Sequence, residues 1–180
     1  LVVSPLKALI VDQVEALREL GYERVAYASS DLSPEQKNEV YRRVREGEGD
    51  LFYLSPELLL AYDISYFVGE RRIGLVVVDE AHTVTTWGKE FRVDYWFLGR
   101  HLEALKNALG YVFPVFALTA TAVWNPEGGN DMIFDTIRSL HLAPCALYVG
   151  TVKRENIGFD ITAMTIEEGE TYDKAKQRTV

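Results

Sequence analysis

The most constraining feature of the sequence is the run Gly74-Leu75-Val76-Val77-Val78, which carries no polar side chain and ends in the acidic pair Asp79-Glu80. Successive side chains of a strand point to opposite faces of a sheet, so a strand that is apolar throughout must be covered on both. The run therefore reads as a central strand of a parallel sheet with helices packed on each face. The rest of the chain has the same grammar, since short β-rich runs alternate with helical periodicity almost to its end. The expected fold class is α/β, a parallel β-sheet with helices on both faces.

The expected elements follow in order. Leu9, Ile10, Val14 and Leu17 share a helical stripe over 7–20, with Gly21 placed to end it. A strand is expected at 25–28. Ser33-Pro34-Glu35-Gln36 has the form of a capping box with Pro in the first helical position, opening a helix that ends near Gly47. Leu51-Phe52-Tyr53-Leu54 reads as a strand, and Ser55-Pro56-Glu57 opens a further helix reaching about Val68. Helices over 94–109 and 132–140 and strands over 112–118 and 145–149 complete the pattern. The stretch 124–131, with Pro126, Gly128 and Gly129, reads as a loop. Beyond Gly150 a strand at 158–164 gives way to an acidic, then lysine-rich tail, so a boundary is expected near 150 between a domain at 1–150 and, at 151–180, a linker with the start of a further domain.

Composition excludes several classes. With 180 residues, 48% of them hydrophobic, the chain can bury one core and is neither disordered nor collagenous. A net charge of −8 means that any nucleic-acid contact must use a local patch and ordered backbone donors, not bulk attraction. The lone Cys145 has no partner for a disulfide or a zinc pair and reads as a buried strand thiol in a reducing compartment. No apolar run approaches the roughly 18 residues of a membrane span. The chain opens without Met in the apolar run Leu1-Val2-Val3 and reads as a segment of a longer polypeptide.

In open α/β sheets ligands bind beyond the carboxyl ends of the strands, which is where Asp79 and Glu80 fall. One carboxylate there can hold Mg²⁺ through oxygen ligation, and its neighbour can orient or deprotonate an attacking water. The alternative is that the pair caps the following turn.

The longer segment Val76-Val77-Val78-Asp79-Glu80-Ala81-His82 has the form of a Walker B element of the DEAH type, and with it the chain resembles superfamily 2 nucleic-acid helicases. Val2-Val3-Ser4-Pro5-Leu6-Lys7-Ala8-Leu9 followed by Asp12-Gln13 is similar to their motif Ia. Tyr53-Leu54-Ser55-Pro56-Glu57 is similar to a strand-to-helix element that touches the DNA backbone, and Ala117-Leu118-Thr119-Ala120-Thr121-Ala122 to motif III. The most specific likeness is Trp87-Gly88-Lys89-Glu90-Phe91-Arg92-Val93-Asp94-Tyr95, which resembles the aromatic-rich loop of RecQ-type DNA helicases. Arg154-Glu155-Asn156-Ile157 resembles the passage of that family into its second RecA-like domain.

The resemblance implies a RecA-like P-loop NTPase domain within an ATP-dependent, 3′–5′ DNA helicase that serves DNA repair and recombination. It implies ATP and Mg²⁺ as cofactors, single-stranded and junction DNA as partner, and a second RecA-like domain in the same parent chain. RNA remains possible, no membrane is involved, and the setting is intracellular: cytoplasm and nucleoid, or nucleus if eukaryotic. Asp79 would hold Mg²⁺, Glu80 would act as catalytic base, and His82 would couple the nucleotide site to Thr119 and Thr121. Trp87, Phe91 and Tyr95 would offer faces to unpaired bases, with Arg92 reaching phosphate or nucleotide; the alternative is that the aromatics pack a helix onto the sheet. Ser4, Pro5 and Lys7, with Ser55 and Glu57, would line the nucleic-acid backbone, although Ser-Pro-Glu is equally an ordinary helix start.

The sequence also departs from the family. It contains no Gly-x-x-x-x-Gly-Lys-Ser/Thr phosphate loop, which in the family precedes motif Ia and is expected upstream of residue 1. The polypeptide alone is therefore expected to lack ATPase activity. Thr83-Val84-Thr85-Thr86 and Lys89 stand where RecQ-type proteins more often carry Cys, Ser and His, and Val93 replaces a common Pro, as in a divergent relative. Two other readings remain: a DEAH translocase or RNA helicase that remodels complexes, and a catalytically dead binding module.

Overall fold

The computed structural model describes residues 1–85, 93–122 and 131–150, and the single positions 158, 166, 171, 172, 174 and 176. Among them, β1 (Val2–Val3), β2 (Val25–Tyr27), β3 (Leu51–Leu54), β4 (Val76–Val78) and β5 (Val115–Ala117) form one sheet in the order β2-β3-β1-β4-β5. Every neighbouring pair is parallel. The helices are α1 (Lys7–Glu19), α2 (Pro34–Arg45), α3 (Pro56–Ala61), α4 (Ser65–Val68), α5 (Val93–Leu109) and α6 (Met132–Ser139). Leu1–Cys145 make one compact unit and Ala146–Val180 another.

Local chemistry starts the helices. Ser33 Oγ accepts from the Gln36 amide at 3.3 Å while Gln36 Oε1 accepts from the Ser33 amide at 2.8 Å, a reciprocal capping box. Ser55 Oγ caps α3 by accepting from the Leu58 amide at 3.3 Å. Asp131 Oδ1 does the same for α6, accepting from Ile133 and Phe134 at 2.9 and 3.2 Å. The helix expected from 56 to 68 is instead two short ones. Tyr62 takes extended backbone, and Asp63 Oδ1 then accepts from the Ser65 amide at 2.8 Å to start α4, which carries Phe67 into the core.

Handedness distributes the helices. Strand–helix–strand crossovers are right-handed, so the face a helix covers depends on the direction in which the chain moves along the sheet. Only the step from β1 to β2 moves one way; the later steps to β3, β4 and β5 all move the other way. Val2, Tyr53 and Val25 accordingly pack with Ile10 and Val14 of α1 on one face. Val3, Leu54, Val76 and Val78 pack on the opposite face with Tyr41, Leu59, Phe67, Tyr95, Leu98 and Leu102 from the other helices.

Two expectations at the end of this unit do not hold. Residues 145–149 are not a strand, and Cys145 is exposed. Leu147, Tyr148 and Val149 are 47%, 86% and 47% exposed, and β-propensity by itself does not make a strand. The strand expected at 112–118 is shorter, Val115–Ala117, with Val112 in solvent.

Candidate active site

β1 and β4 are neighbours, Val3 beside Val78, yet the connections leaving them run in opposite directions along the sheet. A crevice opens beyond the carboxyl ends of two such strands. Ser4 and Asp79, the next residue on each strand, meet there.

The Asp79 carboxylate is held from three sides. Its Oδ2 accepts from Ser4 Oγ at 3.2 Å and from Gln13 Nε2 at 3.1 Å, and its Oδ1 accepts from the Glu80 amide at 2.9 Å. Its backbone is held as well: its amide donates to Val3 O at 2.9 Å, and its carbonyl accepts from Tyr95 Oη at 3.1 Å. The carboxylate also acts at a distance. Burial and then the Asp79 charge push the Tyr53 hydroxyl above the ordinary tyrosine range, keeping it a neutral phenol.

Glu80 has left-handed backbone, φ 48° and ψ 44°, a conformation costing a non-glycine residue about 1–2 kcal/mol. The turn that follows holds it there. The Ala81 amide donates to Leu118 O at 2.8 Å and Thr83 Oγ1 donates to Glu80 O at 2.8 Å. The Glu80 side chain ends in a buried Oε2 with no hydrogen-bond partner among the described residues, which lies 3.3 Å from His82 Nδ1 but outside hydrogen-bonding alignment. A buried carboxylate oxygen without a donor is costly, and such exceptions concentrate where a substrate or water completes the set.

His82 spans to β5. Its Nδ1 lies 2.8 Å from Thr119 Oγ1 and 3.1 Å from Thr121 Oγ1. The structure thus brings Asp79, Glu80, His82, Thr119 and Thr121 to one edge of the sheet. Trp87, Phe91 and Arg92 lie outside the described residues. Tyr95 is fully buried with its hydroxyl on Asp79, so it anchors α5 and offers no face to a base, which is the packing alternative given for the aromatics.

The expected backbone-lining residues divide. Ser4 and Pro5 are buried, and the Ser4 hydroxyl turns inward and donates to Asp79. Lys7 faces outward in the first turn of α1 and pairs with Asp31. Ser55 is occupied as a helix cap, and Glu57 is half-buried beside it. Gln13, quoted above only as part of the motif Ia likeness and given no role there, is brought onto Asp79. It had a signal, because it flanks the Ile10–Val14 stripe of α1 and therefore lies at the edge of the packed face.

No group of three or more His, Cys, Asp or Glu among the described residues is placed to hold a metal by itself. That donor set fits Mg²⁺, which typically takes one or two carboxylates and completes its shell with phosphate oxygens and water. Asp79, with an acceptor position left on Oδ1, fits that part.

The DEAD/DEAH box helicase family model matches residues 1–127. The chain belongs to the DEAD/DEAH box helicase family. Within it, the chain is RecQ-like: it is 31% identical over 161 residues to the ATP-dependent DNA helicase RecQ of Haemophilus influenzae, covering 89% of this chain and 24% of that one. It is 34% identical over 175 residues to RecQ of Bacillus subtilis, covering 97% of this chain and 27% of the relative. This DEAD/DEAH domain thus spans about a quarter of the length of these relatives. Among solved structures, the Pyrococcus furiosus Hef helicase domain aligns with a TM-score of 0.52 at 21% identity, over 78% of this chain and 26% of that one. The helicase MrfA bound to DNA and AMPPNP aligns at 0.53 and 22%, over 70% of this chain and 18% of that one. These two likenesses show the shared RecA-like fold. No helix among the described residues is long and apolar enough to cross a membrane.

Proposed function

We propose that this domain is the Walker B half of the first motor domain of an intracellular RecQ-like helicase, one that couples ATP hydrolysis to 3′–5′ movement on DNA and its unwinding. The supporting observation is the Glu80 carboxylate, whose buried Oε2 lacks a partner beside an Asp79 carboxylate fixed by three donors. Glu80 Oε2 would accept a proton from the water that attacks the γ-phosphate, and its left-handed backbone sets the direction in which that oxygen points. Asp79 would hold Mg²⁺ through Oδ1, and the ion would offset charge on the phosphates. His82 would carry the state of this site to Thr119 and Thr121, and a second RecA-like domain of the parent chain would close over it. Lys7 would exchange Asp31 for a DNA phosphate.

A phosphate loop is needed to complete the site, and the sheet offers a place for one. On the face covered by α1, Leu75, Phe116 and Leu118 are 41%, 48% and 41% exposed beside the outer edge of β5. The strand and helix of a phosphate-binding unit would extend the sheet past β5 and cover that patch.

The test is Glu80→Gln in the full-length parent. ATP turnover should fall by about two to four orders of magnitude with nucleotide and DNA affinity retained. Unchanged turnover overturns Glu80 as base, and equal stimulation by RNA and DNA overturns the DNA assignment.

A further inference from the structure

We propose that Gln13, together with Ser4, is a positioning residue that sets which oxygen of Asp79 faces the nucleotide's divalent cation. The proposal rests on the reading of Asp79 as the metal-holding acid. A carboxylate oxygen has two in-plane acceptor positions. Both positions of Oδ2 are filled, one by the Gln13 N–H at 3.1 Å and one by the Ser4 O–H at 3.2 Å. Among the described residues Oδ1 takes only the Glu80 amide, at 2.9 Å, and so keeps one position open. The two donors thus leave the carboxylate a single direction in which to accept.

Both donors are themselves held. Ser4 is fully buried, and its amide donates to Leu54 O at 3.1 Å in the sheet. Gln13 is tied to its place by its neighbours on α1, since Ile10 and Val14 are 1% and 0% exposed against the sheet. The contact joins positions 66 residues apart, so it is a tertiary choice and not a local helix-surface bond. The residue type matters as well. An amide donates without bringing a positive charge, whereas Lys or Arg here would neutralise Asp79 and compete with the cation it is to hold. Donors behind a ligating carboxylate are typically worth 10–100-fold in metal affinity.

The experiment uses the full-length parent with a non-hydrolysable ATP analogue and Mn²⁺ as the spectroscopic probe, bound metal being read by electron paramagnetic resonance. Gln13→Met, of similar length but without a donor, should weaken Mn²⁺ binding by about tenfold or more. Analogue binding in EDTA and the thermal midpoint should not move. Wild-type Mn²⁺ affinity in Gln13→Met overturns the proposal. If Gln13→Met fails to fold, Ser4→Ala removes the other donor, and wild-type Mn²⁺ affinity there overturns it equally. Asp79→Asn separates the two levels. If Asp79→Asn keeps wild-type Mn²⁺ binding, the underlying reading of Asp79 fails; if it loses binding while Gln13→Met does not, only the role of Gln13 fails.

Discussion

The two faces of the sheet are unlike. One is sealed by helices from four successive segments, and its core runs without a break from Tyr41 and Phe67 to Leu102 and Leu140. The other is covered by α1 over β1, β2 and β3 and stands open over β5, where Phe116 and Leu118 are about half exposed. Open apolar surface on a sheet face marks a contact waiting to be made. The candidate chemistry sits on the seam between these halves. Asp79 is steadied by α1 from the open side through Gln13, and by α5 from the sealed side through Tyr95. The sealed face supplies rigidity, and the other leaves apolar side chains of β5 uncovered.

That contrast can be broken at several points, beginning with the largest effect. At the seam, Glu80→Gln should cost the full-length parent about 10²–10⁴-fold in turnover while leaving its melting temperature unchanged. On the sealed face, Gly99→Ala should be severe, because an added Cβ would lie 2.0 Å from Ser139 O and 2.9 Å from Leu140 Cα. Overpacking of that kind costs about 1–3 kcal/mol or more, readable by urea unfolding. Leu102→Ala, at a residue 1% exposed, should cost about 2–5 kcal/mol in the same assay.

The open face should respond differently. Phe116→Ser should change the stability of the 180-residue chain by no more than about 0.5 kcal/mol and lower its self-association in sedimentation. A loss as large as that of Leu102→Ala would show that the two faces are equally sealed.

The smallest effect is a pH dependence on the sealed side. His101 is half-buried with Nε2 unpartnered among the described residues, and burial holds its pKa below the ordinary histidine value. The unfolded chain binds that proton at about pH 6.5 and the folded chain resists it, so stability is full above that pH and declines as pH falls through and below it. His101→Gln should flatten that part of the stability profile. A second decline should begin lower, where Asp50, held low by its bond from Arg24, and Asp63, held low by Ser65, take up protons.

Much of this was legible from residues alone. A run of valines with no polar side chain demands cover on both faces, so it announces a central parallel strand. The two Ser-Pro-Glu starts cap helices through contacts three residues apart. The Asp79-Glu80-Ala81-His82 element was legible for the same reason, since its chemistry is written in consecutive positions. The break at Tyr62 was not legible, because it depends on Phe67 finding the core. Nor was the fate of residues 145–149, because β-propensity is a weak preference that depends on pairing with another strand. Tyr95 stood in an aromatic-rich stretch, where composition cannot separate a stacking face from a core anchor; only the buried hydroxyl on Asp79 O decides.

The sequence by itself determined the α/β grammar, the caps and the identity of the acidic pair, because each is carried by contacts within a few residues. Only the tertiary structure decided that the reversal of direction after β2 leaves α1 alone on one face among the described helices, and that Ser4 turns inward. It alone decided that Gln13 meets Asp79 across 66 positions. Those outcomes depend on which strands become neighbours, a property of the whole sheet that no local window of residues contains.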